Sequence, residues 1–423
     1  MEPQIIALAH RAFCSDDVAS LREILSENAE LRSFINQPVP GTFDSPPIAN
    51  VKSRGMLDLL LEHGADINAK SQWWAGGFGL LHNAQPDLAK YAIERGASVD
   101  IHAAARLGMF DRVRELIESD PKLVHARGGD GQLPLHFAST REIASFLLEN
   151  GADIDARDID HESTAAQWML GDRADLARFL VSRGCKTDLL MATALGDLAL
   201  VQKHLDLDPE SIRMRVTDEY FPMIGGRSGG TIYQWVLGWH VSAHQVAKDK
   251  THDSVFELLM ARSPADVKLV NAAWLHDEPM VDAILRDHPA IIPSLTAADR
   301  RQIAHAARNN DTGALRLFIK SGLPLDARGQ HNAAPLHWAA WHGNATAVRL
   351  LLDQKPDIEG RDNDFNSPPI GWALHGSENG WHRETGDYPA TVELLLRAGV
   401  KPPDKISGTP EVQAVLKRFS LTS

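Results

Sequence analysis

The feature that most constrains this chain is a segment pattern that recurs along its length. Residues 133–153 read LPLHFASTREIASFLLENGAD, residues 334–357 read APLHWAAWHGNATAVRLLLDQKPD, and residues 55–69 read GMLDLLLEHGADINA. All three contain a leucine-rich stretch, and the first two also carry the letters Pro-Leu-His. A self-similar unit of this size predicts a repeat protein, in which each unit buries its apolar face only by stacking on its neighbours.

These segments resemble the ankyrin repeat, whose pattern is TPLHxAA, a short turn and a LLLxxGAD helix end, with a period of about 33 residues. Further copies of the helix end are KYAIERGASVD (90–100), RFLVSRGCKTD (178–188), LRLFIKSGLPLDAR (315–328) and VELLLRAGVKPPD (392–404). The resemblance implies an all-α repeat fold. We expect an ankyrin-type α-solenoid of about ten to twelve helix-turn-helix units, with hairpin fingers between them.

The residues of the unit agree with this fold. Pro134 and Pro335 stand where the first turn of a helix tolerates proline, because the missing N–H has no partner there anyway. Glycines follow the leucine-rich helices, at positions where a left-handed C-cap favours glycine: Gly151, Gly184, Gly322 and Gly399.

The array is not uniform. Residues 101–128, 189–215 and 267–292 keep the helix pair but lack the Pro-Leu-His letters. Finger signals are weakest over 264–310. We therefore expect an N-terminal lobe at 1–263 and a C-terminal lobe at 264–423, or a single continuous solenoid.

Two insertions break the period. Residues 214–241 extend a finger, and their glycines divide two short β-prone runs, which predicts a long hairpin or lid. Residues 377–389 separate the two helices of one repeat. In ankyrin-like proteins that end of a helix pair lies opposite the fingers, so we expect this loop to cover an edge of the array rather than to contact a partner.

Composition excludes several classes of function. Lys and Arg total 43 against 56 Asp and Glu, a net charge of −13, and the basic residues form no run, so we expect no nucleic-acid partner. No segment reaches the roughly 18 apolar residues that predict a membrane span. The two cysteines, Cys14 and Cys185, lie far apart, which indicates neither a disulfide framework nor a cysteine zinc site and favours the cytoplasm. We expect no cofactor and no metal.

The resemblance also implies where a partner binds. Ankyrin-like proteins use the finger tips and the exposed positions of the first helices, which together line a concave groove. The fingers 157–164 (RDIDHEST) and 361–368 (RDNDFNSP) share one length and plan, which aligns Asp160 with Asp364. Carried over position by position, the binding candidates are Trp73, Trp74, Asp160, His161, Glu162, Asp218, Tyr220, Tyr233, Trp235, Gln330, His331, Trp338, Trp341, His342, Asp364, Asn366, Trp372 and His375.

Other polar residues have structural interpretations. The histidines of the Pro-Leu-His position, His82, His136 and His337, are expected to hydrogen-bond finger backbone, as in ankyrin repeats. Asp158 and Asp362 are expected to bond their own turns. Trp338 and Trp372 suit packing as well as binding, and the sequence leaves both interpretations open.

Two functions follow. The first is a binding protein that recognises a protein partner through the groove. The alternative is an enzyme or a small-molecule receptor, with carbohydrate as one candidate ligand, in which acidic, His and Trp side chains line a pocket. Its candidate catalytic residues are Asp160, Glu162, Asp218, Glu219 and Asp364. An enclosed pocket shared by Trp74, Glu162, Asp218, Tyr233, Trp341 and Asp364 would favour this alternative.

Overall fold

The computed structural model describes residues 3–39, 43–403 and 405–420, so Asp404, at the end of the predicted segment 392–404, lies outside the described residues. Throughout these ranges the chain is helical, with isolated β-bridges and no extended strand. The contacts divide it into a first unit, Met1–Leu195 with Val216–Gly238, and a second unit, Gly196–Arg215 with Trp239–Ser423. The predicted division into lobes 1–263 and 264–423 stays a prediction.

The first unit contains the helices α1 to α12 and α14. Their bounds are α1 Pro3–Cys14, α2 Val18–Glu27, α3 Arg54–Glu62, α4 Leu80–Asn83, α5 Pro86–Glu94, α6 Ile101–Arg106, α7 Phe110–Ser119, α8 Pro134–Phe137, α9 Arg141–Glu149, α10 Ala165–Trp168, α11 Ala174–Ser182, α12 Leu189–Ala194 and α14 Tyr233–Val236. Short 3-10 helices lie at Ala29–Phe34, Pro47–Asn50, Pro121–His125 and Gly129–Gly131.

The second unit contains α13 and α15 to α27. Their bounds are α13 Leu198–Leu207, α15 Ala243–Asp249, α16 Asp253–Arg262, α17 Ala265–Trp274, α18 Glu278–Asp287, α19 Ile291–Ser294, α20 Ala297–Arg300, α21 Gln302–Arg308, α22 Thr312–Ser321, α23 Pro335–Trp341, α24 Ala345–Leu352, α25 Pro369–Asn379, α26 Tyr388–Arg397 and α27 Pro410–Ser420. Short 3-10 helices lie at Pro209–Arg213 and Gln330–Asn332.

The helices form pairs that stack on one another within each unit. In the second unit the first helices α21, α23 and α25 contact one another in order, and so do the second helices α22, α24 and α26. In the first unit α4, α6, α8 and α10 form the corresponding row. This stacking of helix pairs is the all-α, ankyrin-type repeat architecture that the sequence predicted.

Small inner residues let the pairs approach closely. In α6, Ala104 and Ala105 are fully buried, and in α9 Ile143 and Leu147 are fully buried on the apolar face. The four glycines predicted to follow second helices have φ between 83° and 100°, the left-handed conformation of a C-cap. Fingers connect the pairs, and several are closed by one antiparallel bridge, such as Arg157 with Thr164.

The first insertion differs from its prediction. Arg215 and Ser242 form an antiparallel bridge, so residues 216–241 do extend a finger. The β-prone runs, however, are not strands: Tyr220 and Phe221 lie in a turn, and Tyr233 begins the helix α14. Instead of pairing with itself, the segment 216–238 packs within the first unit, where Val216, Ile232 and Tyr233 are buried.

The second insertion is a loop between two helices, as predicted, but it is shorter. Helix α25 continues to Asn379 and α26 already begins at Tyr388, which leaves residues 380–387 as the loop. Across the described ranges, no helix combines the length and apolar character that crossing a membrane would require.

Candidate functional site

One buried aspartate organises each of the two long fingers. In the second unit, Asp362 accepts hydrogen bonds from the backbone N–H of Phe365 at 2.6 Å and of Ser367 at 3.1 Å, and from Nε1 of Trp372 at 2.9 Å. These donors keep the pKa of Asp362 below its usual value, against the opposing effect of burial. The predicted structural role of this aspartate is therefore confirmed by its contacts.

The finger of the first unit repeats the arrangement. Asp158 accepts a hydrogen bond from the backbone N–H of His161 at 2.6 Å, and Nε1 of Trp168 donates to its other oxygen. The tryptophan follows its aspartate by ten residues in both fingers. The two fingers are thus built alike, and positions in one correspond to positions in the other.

The histidines of the Pro-Leu-His position join each first helix to a neighbouring finger. Nε2 of His136 donates to the carbonyl of Ser163 at 3.1 Å, and Nε2 of His337 donates to that of Ser367 at 3.2 Å. Burial lowers the pKa of both histidines to about 4, so they are neutral near pH 7. Their structural assignment is confirmed.

An aromatic pocket opens beside the finger of the second unit. Its volume is about 300 Å³, and four of its nine described lining residues are tryptophans: Trp338, Trp341, Trp372 and Trp381. His331, Phe365, Ser367, Gly371 and His375 complete the lining. We refer to this cavity as the aromatic pocket. Its volume lies at the lower end of the range for ligand sites in proteins.

The rings of the aromatic pocket pack against one another. The centroid of Trp338 lies 5.0 Å from that of Trp372, at an interplanar angle of 76°. Trp381 lies 6.1 Å from Trp338, with the rings tilted by only 24°, and 6.2 Å from Trp341, nearly perpendicular to it. Edge-to-face and stacked contacts of this kind fix ring positions, so the walls are organised without an occupant.

A cation supports two of these walls. The guanidinium carbon of Arg308 lies 5.5 Å from the ring centroid of Trp338 and 5.3 Å from that of Trp381. Nε of Arg308 donates to the side chain of Gln330 at 2.7 Å. Burial lowers the pKa of Arg308 to about 10, which leaves the side chain charged near pH 7.

The loop at 380–387 brings Trp381 into the pocket. The backbone N–H of Asp387 donates to the carbonyl of Gly343 at 2.8 Å, and the Tyr388 hydroxyl donates to the carbonyl of Trp341 at 2.9 Å. At Gly386 a Cβ would lie 2.4 Å from the carbonyl oxygen of His342, so glycine permits this close approach. The expectation that the loop only covers an edge is corrected, because one of its side chains lines the pocket.

In the first unit, the insertion covers the corresponding finger. Glu162 accepts hydrogen bonds from the backbone N–H groups of Ile224 at 3.0 Å and Gly225 at 2.6 Å. Oδ1 of Asp160 accepts from the backbone N–H of Gly229 at 2.9 Å. Both carboxylates therefore hold the insertion in place through charge-assisted hydrogen bonds.

Two further contacts complete this attachment. Nδ1 of His161 donates to the carbonyl of Gly230 at 2.7 Å. The Tyr233 hydroxyl donates to Asp188 at 2.8 Å, and the Tyr233 side chain is fully buried. Tyr233 was predicted to face a partner. This expectation is corrected, because the aromatic ring packs inward and anchors the insertion.

Asp130 and Asp160 form a like-charged pair beside the insertion. Burial and the neighbouring Asp160 carboxylate raise the pKa of Asp130 to about 7. Asp130, Asp160 and His161 could offer one metal-ligand atom each within 4.8 Å, and so could His82, Asp100 and His102. Several of these side chains are already engaged: Nε1 of Trp73 donates to Asp160, and His82 bonds Asp100. We assign no metal to either group.

Comparison with known proteins agrees with the repeat architecture. The family description "Ankyrin repeats (3 copies)" matches residues 101–191 and 243–362. The chain belongs to the ankyrin-repeat family. The repeats of this family generally mediate protein–protein interaction.

Relatives share parts of this ankyrin-repeat chain. Ankyrin repeat and SAM domain-containing protein 6 of Mus musculus is 29% identical over 119 residues, which cover 27% of this chain and 14% of the mouse protein. E3 ubiquitin-protein ligase XB3 of Oryza sativa subsp. japonica is 33% identical over 99 residues, 23% of this chain and 22% of the rice protein. Probable 26S proteasome regulatory subunit p28 of Saccharomyces cerevisiae is 24% identical over 202 residues, 40% of this chain and 88% of the yeast protein. The chain thus spans less than a quarter of the first two relatives.

The remaining candidates of the ankyrin-repeat array lie in varied surroundings. His342 was predicted to face a partner. This expectation is corrected, because His342 is buried and its Nε2 donates to the carbonyl of Arg308 at 2.8 Å. His331 contacts Asp364 at 2.5 Å at the edge of the aromatic pocket. Exposed or partly exposed candidates are Trp73, Trp74, Asp218, Glu219, Tyr220, Trp235, Gln330, Asn366 and His375.

The structure therefore gathers the candidates in two places, one inside each unit. Asp160, His161 and Glu162 lie under the insertion of the first unit. Trp338, Trp341 and Trp372 line the aromatic pocket of the second. Sequence reasoning missed Phe365 and Trp381 as pocket residues. The sequence does place Trp381 after a glycine inside an insertion, which marks it as unusual. The repeat period, however, does not predict which way an inserted loop runs.

Proposed function

We propose that this ankyrin-repeat protein binds a partner protein, and that the aromatic pocket of the second unit contacts that partner. The observation that supports this most directly is a preformed pocket in which four of the nine described lining residues are tryptophans. Tryptophan is among the residues most enriched in the small set that dominates binding energy at protein interfaces. The names of the relatives assign no partner to this chain, so its identity is open to experiment.

Exposure supports the same proposal. Trp381 remains 60% exposed although its ring contacts Trp338 and Trp341, and Phe365, which also lines the pocket, is 65% exposed. A large apolar side chain that stays in solvent beside a pocket is typical of a binding surface. The two free cysteines, one of them buried, support the further proposal that the protein works in the cytoplasm.

Three of the five carboxylates proposed for catalysis already have hydrogen-bond partners within the chain. Asp160 and Glu162 accept backbone hydrogen bonds from the insertion, and Asp364 is engaged by His331. A general base needs a lone pair that reaches the substrate. These contacts favour binding over catalysis as the proposal for this chain.

Affinity capture with the full chain tests the proposal. Wild type, Trp381→Ala and Leu207→Ala are each used to capture proteins from an extract of the source cells, and the captured proteins are identified by mass spectrometry. Leu207 is the control, since it is an exposed apolar residue of the second unit that does not line the aromatic pocket. We expect a protein that wild type and the Leu207→Ala variant retain and that the Trp381→Ala variant loses.

The identified protein is then purified and titrated against the same three variants. Equal affinity for wild type and Trp381→Ala would refute the role of the aromatic pocket. A thermal-shift screen with sugars and metabolites tests the alternative that the pocket binds a small molecule. A saturable shift that Trp381→Ala abolishes, without any protein lost in capture, would favour a small-molecule receptor instead.

A further inference from the structure

One histidine of the aromatic pocket is held by a carboxylate that lies outside the pocket. His331 belongs to the described lining, whereas Asp364 does not. Nδ1 of His331 lies 2.5 Å from Oδ2 of Asp364, and 30% of the His331 side chain is exposed. Because a carboxylate only accepts hydrogen bonds, this contact places a proton on Nδ1. The neutral imidazole then keeps its lone pair on Nε2.

This second nitrogen of His331 is left for an occupant of the pocket. The two nitrogens of an imidazole point away from each other, so Nε2 faces away from Asp364. Among the described residues Nε2 has no hydrogen-bond partner. The ring centroid of His331 lies 5.6 Å from that of Phe365 and 5.9 Å from that of Trp338. The pocket therefore presents a hydrogen-bond acceptor among apolar rings.

The fold of the finger does not require a histidine at this position. The corresponding residue in the first unit is Asp130, and both residues have positive φ, 54° and 60°. The carbonyl of Asp130 accepts from the backbone N–H of Ile159 at 2.9 Å, and that of His331 accepts from Asn363 at 3.2 Å. The two positions thus have the same backbone role with different side chains. The imidazole is therefore available for recognition.

We propose that the aromatic pocket receives a tyrosine side chain of the partner, whose hydroxyl donates a hydrogen bond to Nε2 of His331. This inference rests on the proposed function and names the chemistry of the partner at that site. His331 selects the occupant, and Asp364 is a positioning residue that holds the imidazole ring and its tautomer. The pocket matches such a side chain twice, with rings for its ring and an acceptor for its donor.

The tryptophan walls fit an aromatic ring. Aromatic side chains prefer stacked or edge-to-face neighbours with centroids about 4.5–7 Å apart. The walls show both orientations, since the Trp381 ring is tilted by 24° from that of Trp338 and by 86° from that of Trp341. A ring in the pocket can therefore meet one wall face-on and another edge-on. The volume of about 300 Å³ suits one side chain rather than an extended ligand.

The histidine distinguishes tyrosine from other aromatic side chains. Phenylalanine would cover Nε2 of His331 without supplying a donor, and a buried acceptor without a partner is unfavourable. The hydrogen bond from Nδ1 to Asp364 makes the opposite nitrogen more basic. A basic acceptor favours the phenol O–H, whose pKa is about 10, over the less acidic indole N–H of tryptophan. Tyrosine is also enriched among the residues that dominate binding energy at protein interfaces.

Three amides test the role of the hydroxyl: N-acetyl-tyrosine amide, N-acetyl-phenylalanine amide and N-acetyl-O-methyltyrosine amide. Each is titrated into the full chain, and binding is followed by saturation-transfer difference NMR. We expect saturable binding, with the tyrosine amide about fivefold tighter than the other two, because only its ring carries a donor. His331→Phe keeps a ring and removes the acceptor, so this variant should bind all three amides with equal affinity.

Control variants come from the same unit. His375 also lines the pocket, but its Nδ1 contacts the Asn379 amide rather than a carboxylate, so His375→Phe should keep the preference for tyrosine. Trp381→Ala should weaken the binding of all three amides by about fivefold through the loss of ring contact. Leu207→Ala changes an exposed residue outside the pocket and should bind as wild type does. Thermal melting of each variant confirms that the chain remains folded.

Equal affinity of wild type for the tyrosine and O-methyltyrosine amides overturns the inference without any variant. A preference that survives His331→Phe or disappears in His375→Phe also overturns it, and so does the absence of saturable binding. If a captured partner depends on Trp381 but the tyrosine amide does not compete with it, the proposed function stands and this inference fails. If the partner binds the Trp381→Ala variant as tightly as wild type, the proposed function fails and the inference fails with it.

Discussion

Substitution of Asp130 by asparagine tests the electrostatics beneath the insertion. Asp130 has a positive φ of 54°, a conformation that asparagine also tolerates, so the backbone is not strained by the change. The titratable side chains that face it are those of Asp160, Asp158 and His161. The Asp130→Asn substitution removes the like charge next to Asp160 while preserving the size and shape of the side chain.

The magnitude follows from the pKa of Asp130, which rises from 3.8 to about 7. A raised carboxyl pKa means that the folded protein holds a proton that the unfolded chain has released. Stability is therefore lost as pH rises from about 4 to about 7. One pKa unit corresponds to about 1.4 kcal/mol, so the unfolding free energy of wild type should fall by about 2 kcal/mol between pH 5.5 and 8. Partial exposure of Asp130 to solvent reduces this loss to about 1 kcal/mol. The Asp130→Asn variant has no such loss, because it carries no carboxyl group at this position.

Thermal melts at pH 5.5 and 8 measure the effect. For a unit of this size, 1 kcal/mol shifts Tm by about 2–4 °C, so the Tm difference between Asp130→Asn and wild type should be more positive at pH 8 by that amount. The control is Asp362→Asn, which replaces one of the two carboxylate oxygens that accept from three N–H groups. Because the pKa of Asp362 is lowered, this carboxyl is ionised at both pH values, and the substitution should destabilise equally at both. An Asp130→Asn effect that does not change with pH would refute the reasoning.

Three other substitutions or conditions give separate outcomes. Tyr233→Phe removes the hydrogen bond to Asp188 and should lower the unfolding free energy by about 1–2 kcal/mol. The same substitution should speed tryptic cleavage of the insertion. An unchanged cleavage rate would contradict the anchoring role of Tyr233. Gly376→Ala places a Cβ 2.4 Å from the carbonyl oxygen of Trp341 and should cost about 1–3 kcal/mol in a urea melt, whereas a neutral result would show that α23 and α25 separate freely. Burial lowers the pKa of His136 to about 4, so stability present above about pH 6.5 should fall as the pH drops toward 4, and a flat Tm profile there would count against a neutral buried histidine.

The repeat architecture was predictable because its determinants are local. Pro335 opens a first helix and His337 bonds the carbonyl of Ser367 at 3.2 Å in the next finger, within one repeat length of sequence. Glycine follows the second helix with positive φ wherever the sequence predicted a C-cap. Such short-range interactions recur with the period, so a single sequence displays them several times.

The site was only partly predictable. Trp338 and Trp372 stood out because they occupy fixed positions in the repeat. Their neighbour Trp381 did not, because an inserted loop has no counterpart in other repeats to fix its direction. Its place is decided by close backbone contacts, such as Gly386 against His342, that involve residues far apart in the chain.

By itself, the sequence determined that helix pairs stack into an ankyrin-type array and that two fingers share one plan, since periodic apolar and turn residues encode both. Only the tertiary structure decided that one finger is covered by the chain's own insertion and that the other borders an open aromatic pocket. The reason is physical: burial of Tyr233 and the ring contacts of Trp381 depend on long-range packing, which no local pattern specifies.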